Sequence, residues 1–161
     1  MDVRLKKVVI RFLTFFHVDK TENLVDNMVQ FVKFGLVGVT NTVISYVLNI
    51  LILALLFPLA VSWDFVVGNV VAFVLSVLWS FYWNNRFVFS MQEGEERKVW
   101  KALLKTYVAY AFTGIVLNNM LSWVWITVFH ISKYLAPLIN LIISVPVNFI
   151  INKLWAFKTS K

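Results

Sequence analysis

An all-α integral membrane protein with four transmembrane helices is the fold class the sequence predicts, on three observations. Hydrophobic residues make up 60% of the 161 positions and charged residues 14%, against roughly 45–50% apolar and about 25% charged in an average soluble domain. Four long stretches carry no charge at all: 34–63, 65–85, 106–132 and 134–152. Of fifteen Lys and Arg, fourteen fall on one side of the plan those stretches define, the asymmetry expected of a multi-pass protein.

The N-terminal segment, 1–30, reads as an amphipathic interfacial element. Phe12, Leu13, Phe15 and Phe16 stand beside Lys6, Lys7 and Arg11, the pattern of a helix lying in a membrane surface. The apolar stretch 8–18 is interrupted by Arg11 and His17 and no small-residue cleavage site follows, so it is read as an anchor to an anionic leaflet and not as a secretory signal. Asp19 with Glu22 is expected to cap a second short helix leading to Lys33.

A four-helix transmembrane domain follows over 31–158, with spans at about 34–57, 65–85, 104–129 and 135–155 and a short tail at 159–161. A helix needs roughly 20 residues to cross about 30 Å of hydrocarbon, and each charge-free stretch supplies that. Strands are excluded because the runs are apolar on all sides and an open sheet in lipid leaves backbone groups unpaired. Pro58, Ser62 and Asp64 mark the first turn and residues 130–137 the third. The middle connection, 90–101 (SMQEGEERKVWK), is longer and charged. If helical, it pairs Glu93 with Arg97 at i,i+4 and starts a surface helix that becomes the third span. Most of Trp63, Tyr82, Trp83, Trp100, Tyr107, Trp123, Trp125, Tyr134 and Trp155 fall near span ends, as an aromatic belt does.

Cations place the ends of the spans. Arg4, Lys6, Lys7, Arg11, Lys20 and Lys33 precede or open the first span; Arg86, Arg97, Lys98, Lys101 and Lys105 flank the middle connection; Lys153, Lys158 and Lys161 close the chain. Only Lys133 lies in the two remaining loops. By the positive-inside rule both termini and the middle loop are expected to be cytoplasmic, in a multi-pass protein of the cytoplasmic (inner) membrane.

Sliding the chain on itself pairs 76–89 (SVLWSFYWNNRFVF) with 144–157 (SVPVNFIINKLWAF), with identities at Ser76/Ser144, Val77/Val145, Phe81/Phe149, Asn84/Asn152 and Phe89/Phe157. This predicts two duplicated helical hairpins. Each unit holds an even number of spans, so the copies share one orientation, unlike the inverted repeats of many transporters.

Polar residues recur inside the spans: Asn140, Ser144, Asn148 and Asn152; Asn69, Ser76, Ser80 and Asn84; Asn41, Ser45 and Asn49; and Tyr110, Thr113, Asn118, Asn119 and Ser122. Spacings near four put each set on one slowly rotating helix face. Amides facing lipid are expensive, so the stripes should face one another or water. Interhelical hydrogen bonding accounts for such a seam, and so does a hydrophilic groove for a neutral, hydroxyl-rich group such as a sugar. At the cation-rich ends, Lys33, Arg86, Lys105 and Lys153 stand one per span. Beside Asn84, Asn85 and Asn152 such a ring would bind a lipid phosphate through charge-assisted bonds, although snorkelling cations are ordinary at that depth.

Absences narrow the function. There is no cysteine, which removes disulfides, thiolate metal sites and palmitoyl anchors. No Asp or Glu lies within the charge-free stretches to carry a proton, as a proton-coupled exporter requires. No HExxH, phosphate loop, GxSxG or paired-carboxylate motif occurs, so no enzyme activity, metal or cofactor is expected. The basic charge follows from topology, so no nucleic-acid partner is expected.

Three motifs in register with this topology resemble the GtrA-like family. Lys33-Phe34, Val37-Gly38 and Asn41-Thr42 are similar to its opening motif, and the segments from Asn84 to Phe89 and from Phe149 to Phe157 are similar to the Asn-Lys/Arg-x-Trp-x-Phe endings of its second and fourth spans. Asn85 intervenes between Asn84 and Arg86, and Phe87 stands where the family has Trp. The resemblance implies a flippase or flippase component. It would move a polyprenyl-phosphate-linked sugar (undecaprenyl phosphate type) for glycosylation of O-antigen, teichoic acid or other cell-wall polysaccharide, beside glycosyltransferases of the same pathway. On that reading Lys33, Arg86, Lys153, Asn84 and Asn85 hold the lipid phosphate, and Asn41, Asn69, Asn148, Asn152 and Asn140 line the sugar path. Two alternatives remain, a non-transporting accessory subunit of a membrane glycosyltransferase and a small-molecule exporter; a homo-oligomer is compatible with each.

Because no native thiol competes, single cysteines report the topology. Ser62→Cys and Ser132→Cys should react with an impermeant maleimide added outside intact cells and Ser160→Cys only after lysis; the opposite pattern inverts the orientation.

Overall fold

The computed structural model describes residues 2–18, 21–59, 64–132 and 135–159. Asp19, Lys20, Ser62, Trp63, Lys133, Tyr134, Ser160 and Lys161, used in the readings above, lie outside them. Everything described is helix or short connection, and four helices are long and apolar enough to cross a membrane: Glu22–Leu59, Val66–Val88, Val99–Val128 and Leu138–Ala156.

The first helix, α1 (Asp2–Phe15), ends where His17 takes a positive φ of 54°. That left-handed residue lets the Val18 amide return to the Leu13 carbonyl at 3.0 Å, satisfying an orphaned helix-end acceptor. Val9 and Leu13, one turn apart, pack on Val25 and Val29, also one turn apart, and Lys6 pairs with Asp26 at 2.7 Å. Phe12, Phe15 and Phe16 stay exposed on the other side. The amphipathic reading of this segment holds, with one face docked on protein and a second left apolar.

Beyond it, α2 (Glu22–Leu56) is one continuous helix of 35 residues, capped by a 3₁₀ turn at Phe57–Leu59. This corrects the expected separate short helix before Lys33. No Gly or Pro interrupts 22–34, and docking of Val25 and Val29 on α1 extends the helix beyond the charge-free stretch. At 1.5 Å per residue α2 is about 50 Å long, so its N-terminal third exceeds the hydrocarbon thickness.

The second span is α3 (Asp64–Trp83), continued by a π-helical turn at Asn84–Val88. The third is α4 (Val99–Ala111) and α5 (Asn118–Trp123), joined by a π segment at Phe112–Leu117 and followed by another at Val124–Val128. The fourth is α6 (Ala136–Ile151), continued by a π turn at Asn152–Ala156. The wider turns at Asn84 and Asn152 are separated by the offset of the sequence repeat. Each closes with the same bond, Phe89 N–H to Asn84 O and Phe157 N–H to Asn152 O, both at 2.8 Å.

The duplication is visible in the packing. Phe81 stacks on Phe157 with centroids 5.5 Å apart, and the equivalent pair, Phe149 on Phe89, stacks at 5.9 Å. Exchange of the two hairpins turns one contact into the other. Phe89 and Phe157, which exchange with each other, stack at 4.7 Å. These four rings, with Phe34, Val88, Ala102 and Ala156, form the main buried core at the cation-rich end. Elsewhere most apolar side chains face outward, as lipid-facing residues do.

The middle connection departs from expectation. Residues 91–98 are not helical: Gly94 takes φ of +80°, where a side chain is strained, and Glu95 N–H bonds Gln92 O at 3.1 Å. Glu93 and Arg97 are therefore not an i,i+4 pair. Arg97 instead donates to the carbonyls of Phe89 and Phe157, each at 2.9 Å, and to the Asn85 side-chain oxygen, and lies 5.0 Å over the Phe157 ring. Burial lowers its pKa and the nearby Glu95 carboxylate opposes that shift.

Each of those contacts is a bond to a charged donor, worth roughly 1.5–3 kcal/mol. Arg97→Ala should therefore destabilise the purified protein by about 3 kcal/mol or more, read as SDS-induced unfolding in mixed micelles. Arg97→Lys should recover less than half, because an ammonium cannot span both carbonyls in one plane.

Candidate functional site: a polar track within the membrane span

At the cation-rich end the structure separates residues that the sequence grouped. Lys153 donates to Asn27 and, at 2.7 Å, to Gln30 Oε1, while Gln30 Nε2 reaches the Val88 carbonyl at 3.2 Å. Lys105 caps the Trp155 carbonyl at 3.2 Å and lies 5.4 Å over that ring. Asn85 accepts from Arg97. All three are thus built into the hairpin ends: Lys105 supplies a donor to a last-turn carbonyl, Lys153 ties the fourth span to side chains of α2, and Asn85 accepts from the connecting loop. Arg86 is exposed, 3.3 Å from the Tyr82 hydroxyl and 5.9 Å over the Phe87 ring. Lys33 borders a groove together with Phe87.

Gln30, Asn27 and the bridging role of Arg97 were not found by sequence reasoning. Asn27 and Gln30 lie six and three residues before Lys33, upstream of the charge-free stretch, and their spacing of three places them near one another on α2.

Within the spans the amides divide into two kinds. Asn84, Asn140 and Asn152 are fully buried and tie helices internally. Asn84 Nδ2 donates to Ser80 Oγ at 3.1 Å, and Ser80 shares a hydrogen bond of 2.6 Å with the Tyr110 hydroxyl, joining α3 to α4. Asn140 donates to the Asn118 backbone and side-chain oxygens and to Ser122 Oγ at 2.7 Å, joining α6 to α5. Asn152 donates to the Asn148 side-chain oxygen at 2.9 Å. The amide N–H groups of these three are thus partnered within and between helices, while their side-chain oxygens find no partner among the described residues.

Asn41, Asn148 and Asn69 instead line open space. A cavity of about 620 Å³ lies between α2, the third span and α6, bordered by Asn41, Thr42, Tyr110, Asn118, Ser144 and Asn148. A second groove of about 430 Å³ runs between α2 and α3, lined by Asn41, Thr42, Ser45, Asn49 and Asn69. The two share Asn41 and Thr42, so the walls of one continue into the other. Gly35, Gly38 and Gly114 border the first cavity, and a Cβ on any of them would meet no atom within 4 Å. Those glycines widen it. Gly68 does the opposite: a Cβ there would sit 3.2 Å from Asn49 Nδ2, so its absence allows α3 close enough for Asn49 to donate to Asn69 at 2.9 Å.

Asn41 Oδ1 is buried and has no hydrogen-bond partner among the described residues, a state it shares with the side-chain oxygens of Asn84, Asn140 and Asn152 and one that costs free energy in an apolar setting. What sets Asn41 apart is its place, since it borders both spaces. It offers an acceptor where the two spaces meet. The described residues contain no cluster of His, Asp or Glu able to hold a metal.

This arrangement, four spans closed by paired Asn-containing turns, lies almost wholly inside a stretch that matches a known family. Residues 33–157 match the model described as GtrA/DPMS, transmembrane domain. The chain belongs to this family. No curated protein matches it. The match starts at Lys33, so α1 and the first third of α2 fall outside the GtrA/DPMS region, while both cavities fall within it. Membership makes the chain a multi-pass membrane protein and points to lipid-linked sugar translocation or a related membrane function.

Interhelical amide bonds in membranes contribute roughly 0.6–2 kcal/mol each. Asn140→Ala removes the bonds to Asn118 and Ser122 and should cost about 2 kcal/mol in the same unfolding assay. Asn41→Ala breaks no observed bond, and its stability should match the parent's within the error of that assay.

Proposed function

We propose that this protein carries the head group of a polyprenyl-phosphate-linked sugar across the cytoplasmic membrane, with both termini cytoplasmic, acting as a flippase or flippase component for surface-polysaccharide glycosylation. It performs no covalent chemistry. The observation that carries the reading is the junction at Asn41, where a large cavity of mixed amide, hydroxyl and apolar lining meets a second groove lined by amides and hydroxyls, with a buried amide oxygen of Asn41 left to accept. Hydroxyl groups are the donors such a wall can take up, and amides exchange hydrogen bonds with them without moving charge. The charge-free stretches hold no acid, which suits a neutral cargo and disfavours a proton-coupled exporter.

Lipid phosphate would remain at the cytoplasmic end, held by Lys33 and Arg86. Lys153, Asn84 and Asn85 keep that end in shape through their bonds to neighbouring groups. Asn41, Asn148 and Asn69 would contact the sugar, and Asn140 and Asn152 would support them. Partners follow from the chemistry: one glycosyltransferase charges the lipid inside, and another uses it outside.

In proteoliposomes containing a polyprenyl-phosphate sugar, the wild-type protein should make the inner-leaflet pool accessible to an external probe. Asn41→Leu should slow this about tenfold or more, the cost of losing one or two hydrogen bonds in the barrier, without loss of insertion. Accessibility no higher than in empty vesicles would favour the accessory-subunit reading.

A further inference from the structure

On the side of α2 away from the large cavity, a third space of about 420 Å³ is lined by Lys33, Leu36, Val37, Thr40, Trp79, Trp83 and Phe87. Its wall on α3 is a ladder of aromatics one turn apart. Trp79 meets Trp83 at 5.4 Å, Trp83 stacks on Phe87 at 5.0 Å with an 18° interplanar angle, and the Trp79 indole N–H is pinned to Thr40 Oγ1 at 3.3 Å. Apart from Lys33 and the Thr40 hydroxyl, the walls are hydrocarbon and ring faces. Lys33 borders this space with Phe87, and Arg86 covers the Phe87 ring, so two cations gather at one end.

The duplication supplies a control within the same chain. At the offset of the repeat, Trp79, Trp83 and Phe87 correspond to Val147, Ile151 and Trp155. In that second hairpin Lys105 caps the Trp155 carbonyl and covers its ring. An aromatic belt or general lipid contact would act on both hairpins alike, yet only the first carries this ladder of three rings beside an apolar groove. Along α2 the groove extends from Lys33 to Thr40, about 10 Å at 1.5 Å per residue. That is short for seating a helix and enough for the head-proximal part of one hydrocarbon chain.

From this geometry we propose that the groove between α2 and α3 seats the prenyl chain of a single-chain lipid phosphate, with Lys33 and Arg86 on its phosphate. The inference rests on the proposed function and adds where the carrier is held: the chain lies on one side of α2 while the head group enters the polar track on the other. Both cations can make charge-assisted bonds to a lipid phosphate, whether it is free or is the phosphodiester that links the sugar, so it is the chain that tells this lipid from a phospholipid. One groove matches one chain, against the two of a phospholipid.

The test uses the full chain in nanodiscs and a polyprenyl monophosphate carrying a diazirine near its phosphate, with crosslinks mapped by mass spectrometry. Labels are expected on Val37, Thr40, Trp79 or Trp83, competed by unlabelled polyprenyl monophosphate and not by a tenfold larger amount of phosphatidylglycerol. Labels elsewhere, or equal competition by phosphatidylglycerol, overturn the proposal. Val37→Trp, which fills the groove, and Trp79→Ala, which removes part of its wall, should each cut groove labelling fivefold or more. Groove labelling without translocation by the wild type would sink the proposed function and leave this site standing. Translocation without groove labelling would do the reverse.

Discussion

One guanidinium bridges the ends of the two hairpins. Arg97 reaches the carbonyls of Phe89 and Phe157, equivalent atoms in the repeat, from a loop that belongs to neither. Helix C-termini carry partial negative charge and unsatisfied carbonyls, and here two converge at one point. A planar fork of donors can satisfy both at once, which explains an Arg over stacked Phe rings. Gln30 at the Val88 carbonyl and Lys105 at the Trp155 carbonyl extend the same device to neighbouring acceptors. With the cation-rich end closed by packed rings and bonded carbonyls, the spans can diverge beyond it and leave polar-lined space between them.

That division explains why polar residues of similar type have different fates. Asn84 and Asn152 occupy equivalent positions next to the ring core and are fully buried. Asn41 and Asn148 lie where Gly35, Gly38 and Gly114 leave room between the helices, and they border open space. Lipid offers no hydrophobic drive for helix association, so the amide and hydroxyl bonds at Asn140, Ser80 and Tyr110 supply part of the cohesion that apolar burial gives a soluble bundle. The duplicated frame is nearly symmetric in its rings and asymmetric in its outer faces. Lys105 lies against Trp155 in one hairpin, while the Trp79–Trp83–Phe87 ladder walls a groove in the other.

Much of the candidate site was legible in the linear pattern. Asn residues four apart announced faces that must avoid lipid, and the Asn84/Asn152 repeat announced equivalent turns. Periodicity does not say whether an amide finds a partner. The Asn140 amide N–H group finds Asn118 and Ser122 on another helix, while Asn41 borders two open spaces. The expected ring of cations was read from depth alone, and depth is shared by every residue at a span end. Direction around the helix separates Lys153, which turns to Asn27 and Gln30, from Arg86, which turns outward.

The sequence by itself determined the number of spans, the gathering of cations at one set of span ends, the two-hairpin duplication and the family. Each depends on composition or on spacing along one chain, and the cost of charge or unpaired backbone in hydrocarbon is large enough to settle such features locally. Only the tertiary structure decided which polar groups close the bundle and which line its cavities, that Arg97 bridges the ends of the two hairpins, and that α2 begins well before its apolar stretch. Those outcomes depend on pairings between residues far apart in the chain, such as Lys153 and Asn27. Each such pairing is weak beside the cost of a charge in hydrocarbon, and no local pattern encodes which partner is reached.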